Sequence, residues 1–61
     1  MTVYQLLSLL FDNDDLVIQF YDPNGDFDAE YVLKDVPLGY ASYEVESFHI
    51  DSNAIMHIKM R

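Results

Sequence analysis

Residues 16–34, LVIQFYDPNGDFDAEYVLK, hold the pattern on which the fold turns. Leu16, Ile18 and Phe20 alternate with Val17, Gln19 and Tyr21, the period of two that marks a half-buried strand. Asp22-Pro23-Asn24-Gly25-Asp26 follows as a turn, because proline presets its own φ and Asn-Gly accepts positive φ. Phe27, Ala29, Tyr31 and Leu33 then alternate with Asp28, Glu30, Val32 and Lys34 along a return strand. A two- or four-residue loop sets Phe20 opposite Ala29, Ile18 opposite Tyr31 and Leu16 opposite Leu33, so every core-face residue meets another. A three-residue loop sets Phe20 against Asp28 and is rejected, since a one-residue slip turns every side chain to the wrong face.

Upstream, Thr2 to Phe11 reads as a helix. Thr2 and Gln5 make the T-x-x-Q capping box, and Val3, Leu6, Leu7 and Leu10 form one stripe. Tyr4, Leu9 and Phe11 widen that stripe, so the helix is expected to touch more than one surface. Asp12-Asn13-Asp14-Asp15 ends it, because acids at a helix C-terminus oppose the macrodipole.

Downstream, Asp35 to Ser42 is a loop punctuated by Pro37 and Gly39. Tyr43 to Ile50 is a third strand, Asp51-Ser52-Asn53 a turn, and Ala54 to Met60 a fourth strand. With Ser52-Asn53 as a tight turn, Glu46 faces Lys59, Glu44 faces Arg61, and His49 and His57 fall on opposite faces. Short connections favour pairing in chain order. The expectation is one α+β domain over residues 1–61, an N-terminal helix packed on a four-stranded antiparallel β-meander.

Composition narrows the function. Eleven Asp and Glu against three Lys and Arg give a net charge of −8, which repels nucleic-acid backbones and anionic membranes. Apolar residues make up 51% of the chain and there is no cysteine to staple it. A domain of this size buries only about 60% of its unfolded surface. A dense core, or apolar surface buried in a homodimer or against a partner, answers that shortage. The absence of cysteine fits a reducing cytoplasm. No apolar run reaches the ~20 residues of a membrane span, and Met1 to Phe11 lacks the basic start of a signal peptide.

Motifs for chemistry are absent. Asp22, Asn24, Asp26 and Asp28 alternate like the start of a calcium loop, but the glycine stands fourth rather than sixth and Leu33 occupies the twelfth position. His49 and His57 have no metal-ligand spacing, and Ser8, Ser42, Ser47 and Ser52 stand in no nucleophile motif. No cofactor and no enzyme activity are expected. What remains is a candidate acidic contact surface of Asp26, Asp28, Glu30, Glu44 and Glu46, with Asp28 and Glu30 on the outer face of the second strand. Tyr40 and Tyr43 are candidate aromatic anchors, tyrosine being enriched at binding hot spots.

The chain resembles small acidic proteins encoded by bacterial phages and prophages, through Thr2, Val3, Leu6, Leu7, Leu10, Asp14, Asp15, Val17 and Ile18 and through Val45, Phe48, Ile50, Asp51, Asn53 and Ile58. The resemblance implies a phage or prophage setting and brings no catalytic residue. Tyr40-Ala41-Ser42-Tyr43 departs from it. The reading is a cytoplasmic, non-catalytic protein-interaction module whose partner is neutral or carries a basic patch. The alternatives are an inhibitor that imitates DNA to occupy a nucleic-acid-binding protein, and a homo-oligomeric structural module.

Overall fold

The computed structural model describes residues 1–10 and 12–61. Helix α1 spans Val3–Ser8. Its capping box forms as expected: Thr2 Oγ1 accepts from the Gln5 N–H at 3.1 Å, and Gln5 Oε1 accepts from the Thr2 N–H at 2.8 Å. The helix is shorter than the apolar stripe suggests. The Leu9 and Leu10 amides bond three residues back, to Leu6 and Leu7, and the Ser8 hydroxyl donates to the Gln5 carbonyl at 2.9 Å. No base sits in the last turn to answer the macrodipole, so the helix tightens and stops. The expected terminus, Phe11, lies outside the described residues.

Four strands follow: β1 (Val17–Tyr21), β2 (Phe27–Val32), β3 (Val45–Ile50) and β4 (Ile55–Met60). They do not form a meander. The sheet order is β2-β1-β4-β3, with β1 and β4 parallel and the two hairpins antiparallel. Burial explains the order. β1 and β4 alternate strictly between buried and half-buried positions, whereas β3 is mostly exposed and neither β2 nor β3 has a buried residue. The two apolar strands therefore take the centre. A parallel pair needs a crossover of about a dozen residues. Residues 33–44 supply it, through short 3-10 turns at Leu33–Asp35 and Leu38–Tyr40.

The core lies between α1, the crossover and one sheet face. Val3 and Leu6 of α1 meet Ile18 and Phe20 of β1 and Met56, Ile58 and Met60 of β4. Tyr40, from the crossover, stacks on Phe20 with ring centroids 4.3 Å apart, and Tyr31 meets Phe20 edge-on at 6.3 Å. Phe20 and Ile58 are fully buried, each such burial being worth about 1.5–3 kcal/mol.

The first hairpin has the expected register, with Phe20 opposite Ala29 and Ile18 opposite Tyr31, but reaches it by a different route. Asp22 N–H bonds the Asp26 carbonyl at 2.9 Å, so the loop is the three residues Pro23, Asn24 and Gly25. A bulge then absorbs Asp28, leaving Tyr21 opposite Phe27 and Phe20 opposite Ala29. The rejected loop is the real one, and the bulge cancels its one-residue slip.

The second hairpin repeats the device. Asp51 N–H bonds the Ile55 carbonyl at 3.0 Å, leaving Ser52, Asn53 and Ala54 in the loop, with Ala54 at φ 61°. A second shift at Glu46 lies between Val45 and Ser47. In each loop the leading aspartate caps the turn. Asp22 Oδ1 accepts from the Asn24 and Asp26 amides, and Asp51 Oδ1 from Asn53 and Ile55. The extra loop residue pairs His49 with His57 on one face, correcting the expected opposition. Gly25 fills the left-handed position of the first loop at φ 87°, where a side chain costs about 1–2 kcal/mol. Chemical denaturation is therefore expected to find Ala54→Gly more stable by about 0.5–1 kcal/mol and Gly25→Ala less stable by about 1 kcal/mol.

Candidate functional site

Paired positions share a sheet face, so the register builds one polar rung on the face turned away from α1. Glu30 of β2 lies opposite Gln19 of β1, Gln19 beside His57 of β4, and His57 opposite His49 of β3. Hydrogen bonds link most of it. Gln19 Nε2 donates to Glu30 Oε1 at 2.8 Å, and the Tyr21 hydroxyl donates to Gln19 Oε1 at 2.7 Å. The same hydroxyl oxygen lies 2.7 Å from His57 Nδ1, and His57 Nε2 lies 2.7 Å from Asp51 Oδ2. The His49 ring stacks on His57 at 4.7 Å and 16°. Ser47, Gly25 and Lys59 complete a shallow recess of about 400 Å³ with Tyr21, His49 and His57.

A carboxylate stands at each end of this chain. Glu30 takes the Gln19 amide N–H, which leaves the Gln19 oxygen to accept from the Tyr21 hydroxyl. His57 closes the chain, with Nδ1 against the Tyr21 oxygen and Nε2 against Asp51. Carboxylate, imidazole and phenol occur here in the order of a catalytic relay. Both ring nitrogens of His57 are nevertheless engaged within the chain, so it cross-links three strands and a turn.

The acids singled out from the sequence divide between regions. Glu30 belongs to the rung. Glu46 does not stand opposite Lys59 as expected, since Ser47 takes that place in the ladder, but from the bulge of β3 its carboxylate still reaches Lys59 at 2.6 Å. Glu44 instead approaches the Met1 amine at 3.3 Å, and it meets Arg61 through the backbone, the Arg61 N–H donating to its carbonyl at 2.9 Å. Asp26 is exposed at the end of the first hairpin. Asp28 does not share the outer face with Glu30. Its bulge lets the carboxylate reach round to the helix side, where the Tyr40 hydroxyl donates to Asp28 Oδ2 at 2.6 Å. That bond, with burial second, raises the Tyr40 pKa well above the usual phenol range. Asp28, Tyr40 and Tyr43 do come together, in a cleft of about 210 Å³ shared with Asp22, Pro23, Met60 and Arg61. Tyr40 is committed to the core stack; Tyr43 packs edge-on against it at 5.9 Å and stays 50% exposed.

The rung escaped sequence reading because it joins strands far apart in the chain. Its one visible signal is Gln19, the lone polar residue of an otherwise apolar or aromatic strand. Among the described residues no cluster of three His, Cys, Asp or Glu is arranged to hold a metal, and no helix is long and apolar enough to cross a membrane. The chain matches no family model, no curated protein sequence and no solved structure.

Two pKa shifts set an acid limit. The His57 hydrogen bond, followed by the Ile55 amide, lowers the Asp51 pKa, and the Lys59 hydrogen bond lowers that of Glu46. A depressed carboxylate stabilises the fold above its unfolded pKa, and that contribution is lost as pH falls through the folded value. Asp51→Asn and Glu46→Gln are each expected to lower stability at neutral pH and to flatten its fall below about pH 4, as followed by thermal melts across pH.

Proposed function

We propose that this chain is a small non-catalytic protein-interaction module. One observation carries the reading: among the described residues eight large hydrophobic side chains are exposed, against seven that form the buried core. Scattered apolar residues are normal on a surface, but contiguous ones favour a docking role. Phe48 and Ile50, 47% and 54% exposed, stand next but one on the same face of β3. Tyr43 opens the second place of contact, in the cleft with Asp28 and Arg61.

Acids line the tyrosine cleft, so the surface complementary to it is a protein with a basic patch. Asp26, Asp28 and Glu44 lie on or beside the hairpin end and the tyrosine cleft, while Glu30 and Glu46 are occupied across the sheet by Gln19 and Lys59. This divided arrangement favours mixed apolar and electrostatic docking over a row of carboxylates imitating DNA phosphates. A cytoplasmic phage or prophage accessory role belongs to the same proposal and rests on the sequence resemblance.

Asp26→Asn and Glu44→Gln combined, and Tyr43→Ser separately, test it with the immobilised chain and a cytoplasmic extract. Retention of a basic partner is expected to fall about tenfold for the amide set and with added salt, and to fall for Tyr43→Ser at all salts. Retention unchanged by both sets, with the fold intact by circular dichroism, overturns this contact surface.

A further inference from the structure

The second edge of the sheet is self-complementary. Asp51 N–H bonds the Ile55 carbonyl of the β3–β4 hairpin, and bonded pairs alternate along an antiparallel ladder. His49 with His57 and Ser47 with Lys59 are therefore the bonded pairs, and the N–H and C=O of Phe48 and Ile50 point away from β4 into the open edge. The edge is closed further back. The Val45 N–H donates to the Met1 carbonyl at 2.8 Å and the Val3 N–H to the Tyr43 carbonyl at 2.8 Å, an extension with Thr2 opposite Glu44. What stays open is a short edge whose outward backbone groups are placed symmetrically about His49.

We propose that β3 pairs with β3 of a second copy of this chain, antiparallel, about a two-fold axis at His49. This rests on the reading of the chain as an interaction module and names the partner at one of its surfaces. In that register Phe48 faces Ile50 of the partner copy and Ile50 faces Phe48 of the partner copy. Both outward-facing residues of each chain then make both of their backbone bonds. An axis at Phe48 satisfies only Phe48, because the bulge at Glu46 turns the next pairing position inward. The exposed Phe48 and Ile50 side chains become cross-strand pairs on one continuous face. The two sheets join as one of eight strands, with the pairing residues shared equally by both copies.

The facing residues admit this occupant at this edge. Across the axis Ser47 meets Asp51 of the second copy, Glu46 meets Ser52, and His49 meets His49, so no acid opposes an acid in chains that each carry −8. The other edge, β2, has Asp28, Glu30 and a bulge along or beside it, devices that keep an edge strand unpaired. The β3 pairing is short and the two net charges repel, so the dimer forms at high protein concentration and strengthens with salt. A basic foreign partner behaves oppositely, losing affinity as salt rises.

The absence of native cysteine makes the test clean. His49 is exposed and sits at the axis, where facing Cβ atoms lie about 4.5–5.5 Å apart. His49→Cys with mild glutathione oxidant is expected to give a disulfide-linked dimer in high yield, whereas Leu38→Cys, at a side chain 90% exposed on the crossover, gives only the collisional background. Light scattering of the unmodified chain is expected to move towards twice the monomer mass with concentration and salt. His49→Lys and His49→Glu are each expected to lose the dimer, and their equimolar mixture to recover it. A His49→Cys yield no greater than that of Leu38→Cys, or no recovery in the mixture, overturns the pairing. An unmodified chain that stays monomeric at millimolar concentration and high salt overturns it as well, including the case in which a foreign strand occupies the edge. The module reading is judged separately, by the retention experiment with the amide and Tyr43 variants.

Discussion

Parallel pairing of β1 with β4, from Val17 opposite Ile55 to Tyr21 opposite Lys59, sets the position of everything else. It brings Ile18 and Phe20 alongside Met56 and Ile58 to make the floor of the core. On the opposite face it puts Gln19 beside His57, without which the polar rung has no centre. It also forces the chain to travel from β2 at one edge to β3 at the other. That journey carries Tyr40 over the core, where its ring stacks on Phe20 and its hydroxyl anchors the bulged Asp28.

Local chemistry in this chain is legible, and distant pairing is not. Thr2 and Gln5 announce the helix start, and alternation from Leu16 to Leu33 announces both strands of the first hairpin and their register. The Glu46–Lys59 contact follows from the second hairpin. The loop lengths are misread because a bulge and a loop residue compensate each other. Phe20 meets Ala29 either way, so the apolar pattern is blind to the difference. In the second hairpin Ala54 adopts a left-handed conformation that its residue type does not advertise, and the faces of His49 and His57 follow from it. Strand order is missed for a simpler reason: Val17 and Ile55 carry no mark that they are neighbours. Of the candidate site, Asp28, Tyr40 and Tyr43 were named from the sequence and share a cleft, while the rung from Asp51 to Glu30 was invisible until the strands were ordered.

The strong acidity is partly structural. Asp22 and Asp51 spend a carboxylate oxygen on their own turns, Asp28 holds Tyr40, Glu30 holds Gln19, and Glu46 holds Lys59. Asp22 and Asp51, which are half-buried, replace lost water contacts with backbone donors, which keeps the cost of their burial small. For a domain that is marginal by size, such pairs do more to select one register than to add stability. The acids left over are those that shape the surface.

β4 lies at the centre of the sheet yet follows every other element in chain order, and it carries Met56, Ile58 and Met60, three of the seven core side chains. On the ribosome the helix, the first hairpin and the crossover emerge before the strand that joins them. Until β4 is released, β1 has a bare edge, Ile18 and Phe20 lack the neighbours that complete their shelter, and β3 has nothing to pair with. Folding of this domain therefore waits for its last strand, whose insertion completes the core. A nascent chain halted before Met60 has no smaller native structure to fall back on, and it presents the protein-quality machinery with an open apolar strand.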